Sequence, residues 1–350
     1  MSRLKKPRWW RWIPKGVLNR VRPKISICIP TYNQKLEYLR ECIQSALQQR
    51  YDPLEVVVSE NHSTNDAPAL LLDLKDARLR VVRPPVHLSA IQNFAFCAVQ
   101  STGEYVTFLG SDDVLDSDFC PRLAEILDAY PNVAFAHCAC RRIDANGKII
   151  GYERSIHPSF VRSGAQEIQR YVWGPRNVFI AALIRRTAYE SAGGWGADME
   201  MASDWDLSLR LLTVGDVAYC SDVLASYRTW STPERSMRML AQIRDIRLLY
   251  ERHELSGTFA EMSPRILLQA RKQWAISFAT GLAALRLSLD EKEQAVREIK
   301  LLSDSIAVQA RLMLVMRMGM GPLFSNLREI RRWFRQHVKA FLYPQSQSRR

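Results

Sequence analysis

Long apolar runs are the first thing this sequence lacks. A membrane-spanning helix needs about 20 consecutive apolar residues, and no stretch of the 350-residue chain supplies them. The two best candidates, 275–289 and 306–324, are broken by Arg286, Arg311 and Arg317. No apolar core follows the basic N-terminus, so no signal peptide is expected. Glycine is missing where two kinds of nucleotide-binding loop would need it, because the first strand-like run, Ile25–Ile29, ends in Pro30-Thr31-Tyr32-Asn33. That excludes a P-loop and a dinucleotide fingerprint at this position. Cysteine is present, but in no bridging pattern. The seven thiols are odd in number, scattered and mostly set in apolar runs, which reads as buried, reduced side chains in a reducing cytoplasm. His137-Cys138-Ala-Cys140 lacks the second ligand pair of a tetrahedral zinc site.

Acidic residues are scarce at both ends. Residues 1–24 carry nine Lys or Arg and no acid, and residues 321–350 carry seven against Glu329 alone. The formal charge of +13 therefore belongs to the ends, since the stretch between them holds 33 bases and 35 acids. A near-neutral middle is the opposite of a basic cleft, so nucleic acid is not an expected partner.

What is there is a regular alternation. Strand-like runs at Ile25–Ile29, Leu54–Val58, Leu79–Val82, Tyr105–Leu109 and Val133–Ala139 are separated by helical patterns at Leu36–Gln49, Ala67–Leu74, Ser89–Val99 and Asp118–Tyr130. Alternation of this kind predicts an α/β fold with a mainly parallel sheet and helices on both faces. Asp144-Ala-Asn-Gly-Lys148 reads as a hairpin turn, residues 151–230 as turns and short elements, and the chain from about Arg235 as helical. We expect three parts: a basic aromatic segment (1–23), the α/β domain (24–232) and a helical region (233–350).

Ligands of open α/β sheets bind outside the carboxyl ends of the strands, which directs attention to four places. Pro30, Thr31, Tyr32 and Asn33 offer an aromatic ring and polar groups to a nucleobase, or form a simple turn. After the second strand, Glu60 is placed to accept from a base imide or a ribose hydroxyl, with Ser63 or Thr64 capping the next helix and His62 an exposed loop residue. After the fourth, Gly110-Ser111-Asp112-Asp113 sets two carboxylates side by side. A hard divalent cation, Mg²⁺ or Mn²⁺, would relieve their repulsion and hold a diphosphate; the alternative is helix initiation, which Asp116 and Asp118 already serve. At Ala202-Ser203-Asp204-Trp205-Asp206, Ser203 and Asp206 have capping-box spacing. That leaves Asp204 as a candidate general base for an acceptor hydroxyl.

These pieces, in this order, resemble the inverting glycosyltransferases of family 2, which have the GT-A (Rossmann-like) fold. The resemblance runs over about residues 24–232 and is carried by Ile25-Ser-Ile-Cys-Ile-Pro-Thr-Tyr-Asn33, Val56-Val-Val-Ser-Glu-Asn61, Asn93 with Gly103-Glu-Tyr-Val-Thr-Phe-Leu-Gly-Ser-Asp-Asp113, Gly193-Gly-Trp195, Asp204-Trp-Asp-Leu-Ser-Leu-Arg210 and Ser226-Tyr-Arg228. It implies that Pro30, Thr31, Tyr32, Asn33, Glu60 and Asn93 line the nucleotide, that Asp112 contacts ribose and metal, that Asp113 is the firmer metal ligand and that Asp204 is the base. It further implies a nucleoside diphosphate sugar donor, UDP by default, and a glycan or lipid-linked acceptor in bacterial cell-surface polysaccharide synthesis. Four departures stand out: Glu60 in place of the usual Asp, Gly110 in place of the first Asp of the metal element, Ser203 in place of a frequent Glu, and Trp230 where a His often follows Tyr-Arg.

A sugar nucleotidyltransferase would need a glycine-rich basic loop after strand one, which Pro30–Gln34 does not supply. A non-catalytic membrane adaptor would have no use for Asp112, Asp113 and Asp204. The ends carry their own pattern: Leu323, Leu327, Ile330, Phe334, Val338 and Phe341 fall on one helical face among arginines, and Trp9-Trp10-Arg11-Trp12 sits in a basic segment. Both suit the headgroup region of an anionic membrane, so the expected location is cytoplasmic, peripheral on the inner face of the cell membrane.

Overall fold

A computed structural model describes residues 22–155, 158–229, 235–282, 288–305, 307–309 and 312. The Trp9–Trp12 segment, Trp230 and the amphipathic stretch 322–343 lie outside the described residues.

The α/β part starts with β1 (Ile25–Thr31), every residue of which is buried. An unbroken apolar strand of this kind suits a sheet covered on both faces. Then follow α1 (Leu36–Leu47), β2 (Leu54–Glu60), α2 (Ala67–Asp73), β3 (Leu79–Val82), α3 (Ala90–Gln100), β4 (Tyr105–Phe108), the short β5 (Val114–Leu115) and α4 (Phe119–Ala129). Next come β6 (Val133–Ile143), β7 (Ile149–Glu153), β8 (Phe160–Arg162), α5 (Gly164–Tyr171), β9 (Ala182–Arg185), α6 (Arg186–Ser191), α7 (Ser203–Val214) and β10 (Asp216–Arg228). The sheet order is β3-β2-β1-β4-β9-β6-β10-β5, with β7 beside β6 and β8 beside β10.

Strands β1, β2, β3 and β4 pair in parallel, as do β6 and β10. β9 is antiparallel to both β4 and β6, so it restores the common direction across the gap. Six strands therefore end on one edge. Ile25, Ile27 and Ile29 pack with Leu39 and Ile43 of α1 and with Phe119 and Leu123 of α4. Cys28 points to the other face, where its thiol donates to the Cys97 carbonyl of α3 at 3.7 Å. Helices thus cover both faces, as the alternation requires.

The described residues form two compact units. The first is the α/β part with residues 251–262, and the second contains 233–250 and the chain from 263. The second is helical, built from most of α8 (Arg235–Leu255), α9 (Pro264–Leu282) and α10 (Leu289–Leu302). A Ser288–Glu291 capping box starts α10, and Arg247 meets Glu298 at 2.5 Å. No described helix is long and apolar enough to cross a membrane.

Candidate active site

The parallel strands deliver their last residues to one edge, and two loops there are laced together. Pro30 and Thr31 belong to β1 itself rather than to the loop beyond it. Asn33 takes a positive φ of 49°. Its backbone N–H donates to Ser63 Oγ at 3.0 Å, and its side-chain oxygen accepts from the Thr64 N–H at 2.7 Å. Ser63 and Thr64 therefore hold the neighbouring loop, where a helix cap was expected. Tyr32 stays 48% exposed, with its ring 4.4 Å from that of His87. Thr31 Oγ1 is buried without a partner.

Glu60 ends β2, almost wholly buried. Its carboxylate accepts from the Ser63 N–H at 2.5 Å and from Arg83 Nε at 2.7 Å. Burial raises its pKa, but the Ser63 and Arg83 hydrogen bonds outweigh burial and hold it below the ordinary value. Asn93 is also buried, and spends its amide on Ser59: its oxygen accepts from Ser59 Oγ at 2.5 Å and its nitrogen donates to the Ser59 carbonyl at 3.3 Å. It ties α3 to β2. His62 is half-buried with φ 61°, its Nε2 2.9 Å from the Pro84 carbonyl, and is not the exposed side chain expected.

Beyond β4 the chain turns at Gly110, and Asp112 and Asp113 follow. Asp113 is 2% exposed, and one oxygen accepts from the Arg228 backbone N–H at 2.8 Å. A Cβ built on Gly110 would collide with Asp113 Oδ2 and lie 3.4 Å from Asp112 Oδ1. Both carboxylates thus turn onto the space above Gly110, which explains why no larger residue stands there. Burial, and then the neighbouring Asp112 charge, push Asp113 well above the ordinary carboxyl range. Paired carboxylates of this kind are oxygen donors that suit a hard divalent cation. Among the described residues no group of three or more His, Cys, Asp or Glu converges. A metal bound here would complete its shell with phosphate and water oxygens.

Arg228, unassigned from sequence beyond its Tyr-Arg motif, clamps this turn. Its side chain is 1% exposed. Nε donates to the Asp112 carbonyl at 2.9 Å and Nη1 to the Asp144 carbonyl at 3.0 Å, while Nη2 meets Glu41 at 2.7 Å. The guanidinium also lies over the Tyr38 ring, 4.4 Å from its centroid.

Asp204 stands on the first turn of α7. α7 has twelve residues and leads through Gly215 into β10, whose first residue, Asp216, pairs with Val133 at the start of β6. Such a helix spans about 18 Å, so its first turn lies back toward the carboxyl ends of the strands. Asp204 is half-buried, and Oδ1 accepts from the Trp205 N–H at 2.7 Å. Burial raises its pKa despite backbone N–H groups that lower it. Trp195, the end of the Gly193-Gly-Trp motif, packs with Phe94, Phe108 and Phe179. The Gly194 before it has φ 62° and no room for a side chain against the Tyr189 hydroxyl.

The expected capping box is corrected. Ser203 and Asp206 form no capping box: the N-cap is Ala202, and no side chain caps it. Asp206 is instead turned into an ion cluster with Arg210, Arg252 and His253. Asp118 is the N-cap residue of α4, although its side chain makes no cap hydrogen bond and pairs with Arg50, while Asp116 pairs with Arg141. His137 is buried on β6 between Phe135 and Tyr219, its pKa pushed down to about 3 by burial. All seven cysteines are buried and free.

Residues 26–193 match the Glycosyl transferase family 2 model. Chondroitin synthase of Escherichia coli is 27% identical over 214 residues, 60% of this chain and 29% of that protein. The chain therefore spans less than a third of that relative. TarS of S. aureus (1–349), crystallised in complex with UDP-GlcNAc, superimposes with a TM-score of 0.62 at 17% identity, over 87% of each chain. The mannosyltransferase PcManGT of Pyrobaculum calidifontis, in complex with GDP-Man and Mn²⁺, gives 0.55 at 17% identity over 88% of this chain and 92% of that one.

Proposed function

We propose that the chain, which matches the Glycosyl transferase family 2 model over residues 26–193 and has the GT-A fold, is a glycosyltransferase of that family and moves a sugar from a nucleoside diphosphate sugar to a glycan or lipid-linked acceptor with inversion. What supports this reading is the Asp112–Asp113 pair turned onto the space above Gly110, together with the desolvated Asp204 on the first turn of α7. UDP is the donor nucleotide favoured by the resemblance, and cell-surface polysaccharide synthesis is the setting favoured by relatives such as chondroitin synthase.

Tyr32 and Glu60 border the nucleobase, and Arg83 keeps the Glu60 carboxylate ionised and fixed. Asp112 and Asp113 would hold a divalent cation, which neutralises the leaving diphosphate when bound. Asp204 accepts the proton of the acceptor hydroxyl as that oxygen attacks the anomeric carbon from the face opposite the diphosphate. Partial desolvation raises its basicity. The basic, tryptophan-rich ends, outside the described residues, would rest on an anionic membrane surface and bring a lipid-linked acceptor within reach.

The test is Asp204→Asn, with the product's anomeric proton read by NMR. Transfer should fall about 10²–10⁴-fold, and the parent's product should have the anomeric configuration opposite to the donor's. Unchanged transfer in the variant, or a retained configuration, contradicts the reading.

A further inference from the structure

Asp206 lies two residues beyond Asp204 on the same helical turn and points into the protein, 1% exposed. It is held from two sides. From its own helix Arg210 Nε donates to Oδ2 at 2.9 Å. From residues 251–262, which begin in the last turns of α8 and belong to the α/β unit, Arg252 Nη1 meets Oδ2 at 3.0 Å and His253 Nε2 lies 3.1 Å from Oδ1. His253 is itself wholly buried, its Nδ1 3.0 Å from Thr258 Oγ1 and its ring beside Phe259. Arg252 also pairs with Asp198.

This arrangement is expensive for a fold, because apolar packing of equal volume often stabilises as well as a buried ion cluster or better. Nor is it sealed in a dry core, since Arg210, Arg252, His253 and Thr258 line a cavity of about 440 Å³. What the cluster does supply is geometry. α7 has no side-chain N-cap, so its first turn is fixed by other means. Trp205 Nε1 donates to the Tyr171 carbonyl at 2.8 Å, Ser208 Oγ donates to the Asp204 carbonyl at 2.8 Å, and Asp206 grips the segment 251–262. The residues after Asp204 are thus pinned, and the carboxylate between them stays at the edge.

We infer that Asp206 and His253 are positioning residues for sugar transfer: through the Asp206–His253 contact, residues 251–262 set the first turn of α7 and hold Asp204 where it meets the acceptor hydroxyl. The inference rests on the reading of Asp204 as the base. A base displaced by about 1 Å loses on the order of 10²-fold in rate.

The experiment uses the full chain with a panel of UDP-, GDP-, CDP- and dTDP-sugars and Mn²⁺, and measures release of nucleoside diphosphate with the most active donor. His253→Ala should lower kcat about 10–100-fold and leave KM for the donor within about twofold. His253→Gln, whose amide nitrogen can replace Nε2, should recover most of the rate; it also guards against the case in which the alanine variant fails to fold. Normal kcat in folded His253→Ala, or a parallel rise in donor KM, overturns the inference, as does a His253→Gln variant that folds with undiminished Tm yet stays as slow as the alanine one. Asp204→Asn is run beside them: if that variant keeps full activity, or the parent releases no nucleoside diphosphate from any donor, the reading of the base fails first.

Discussion

At Asp113 and Asp204 burial raises the pKa, while at Asp206 hydrogen bonds and cations outweigh burial and lower it to about 2. For Asp204 the consequence is kinetic. A base must be ionised, so kcat should fall as pH drops through the raised value, at a higher pH than an exposed aspartate would give; a pH–rate profile checks this. For Asp206 the consequence is stability. Its folded pKa of about 2 lies below the unfolded value of about 3.9, so its contribution is complete above the unfolded value and is lost as pH falls from about 4 to about 2. Asp206→Asn, which removes the charge facing Arg210 and Arg252, should cost about 3–5 kcal/mol in denaturant unfolding at pH 7 and flatten that acid dependence. Gly110 makes a sharper case. Installing the Asp more usual in the family should disrupt the site, because its Cβ collides with Asp113 Oδ2. Gly110→Asp should lose about 1–3 kcal/mol and its Mn²⁺-dependent nucleotide response, both read by thermal shift. The residue types at the edge were legible because strand ends are where such sheets bind ligands. Their partners were not: Arg83, Arg228 and His253 lie 23, 116 and 47 positions from the carboxylates or carbonyls they serve, and no local pattern links them.

At the scale of elements, the first half of the α/β part and the helical region after it were readable, and the second half of the α/β part was not. β3 covers the expected Leu79–Val82, and the other early strands and helices differ by a few residues at their ends. Buried parallel strands announce themselves as unbroken apolar runs, and the helices between them by spacing. β10 was read as turns and short pieces, although it is one strand of 13 residues. The reason is the irregularity between Cys220 and Val223, where Ser221-Asp222 interrupt the pairing with β6. β9, four residues long, was likewise hidden, although it joins the two parallel sets. β10 matters to the site because it carries Arg228 under the Asp112–Asp113 turn and beside the β6–β7 hairpin. Arg228→Lys keeps the charge but loses the fork that reaches the Asp112 and Asp144 carbonyls. It should lower Tm and weaken the Mn²⁺-dependent nucleotide response together, whereas a loss confined to Tm would reduce Arg228 to a core support.

On the scale of the whole molecule, the net charge of +13 sits in the two ends, and the middle is nearly neutral. The proposed membrane contact is asked of the ends alone. Full-length protein should co-sediment with anionic vesicles at low salt and release as salt rises; no binding at low salt contradicts the membrane role. The chemistry itself is asked of the α/β unit, and its central claim is that Asp112 and Asp113, with the loops after β1 and β2, hold a metal-bound nucleoside diphosphate. The most direct measurement is thermal unfolding with UDP, GDP, CDP or dTDP, with and without Mn²⁺, on the parent chain and on Asp113→Ala. At a hundredfold excess over Kd a specific ligand stabilises by about 2.7 kcal/mol. The account predicts a Mn²⁺-dependent rise in Tm with one nucleotide, absent in Asp113→Ala. No rise with any nucleotide, or the same rise in the variant, would contradict it.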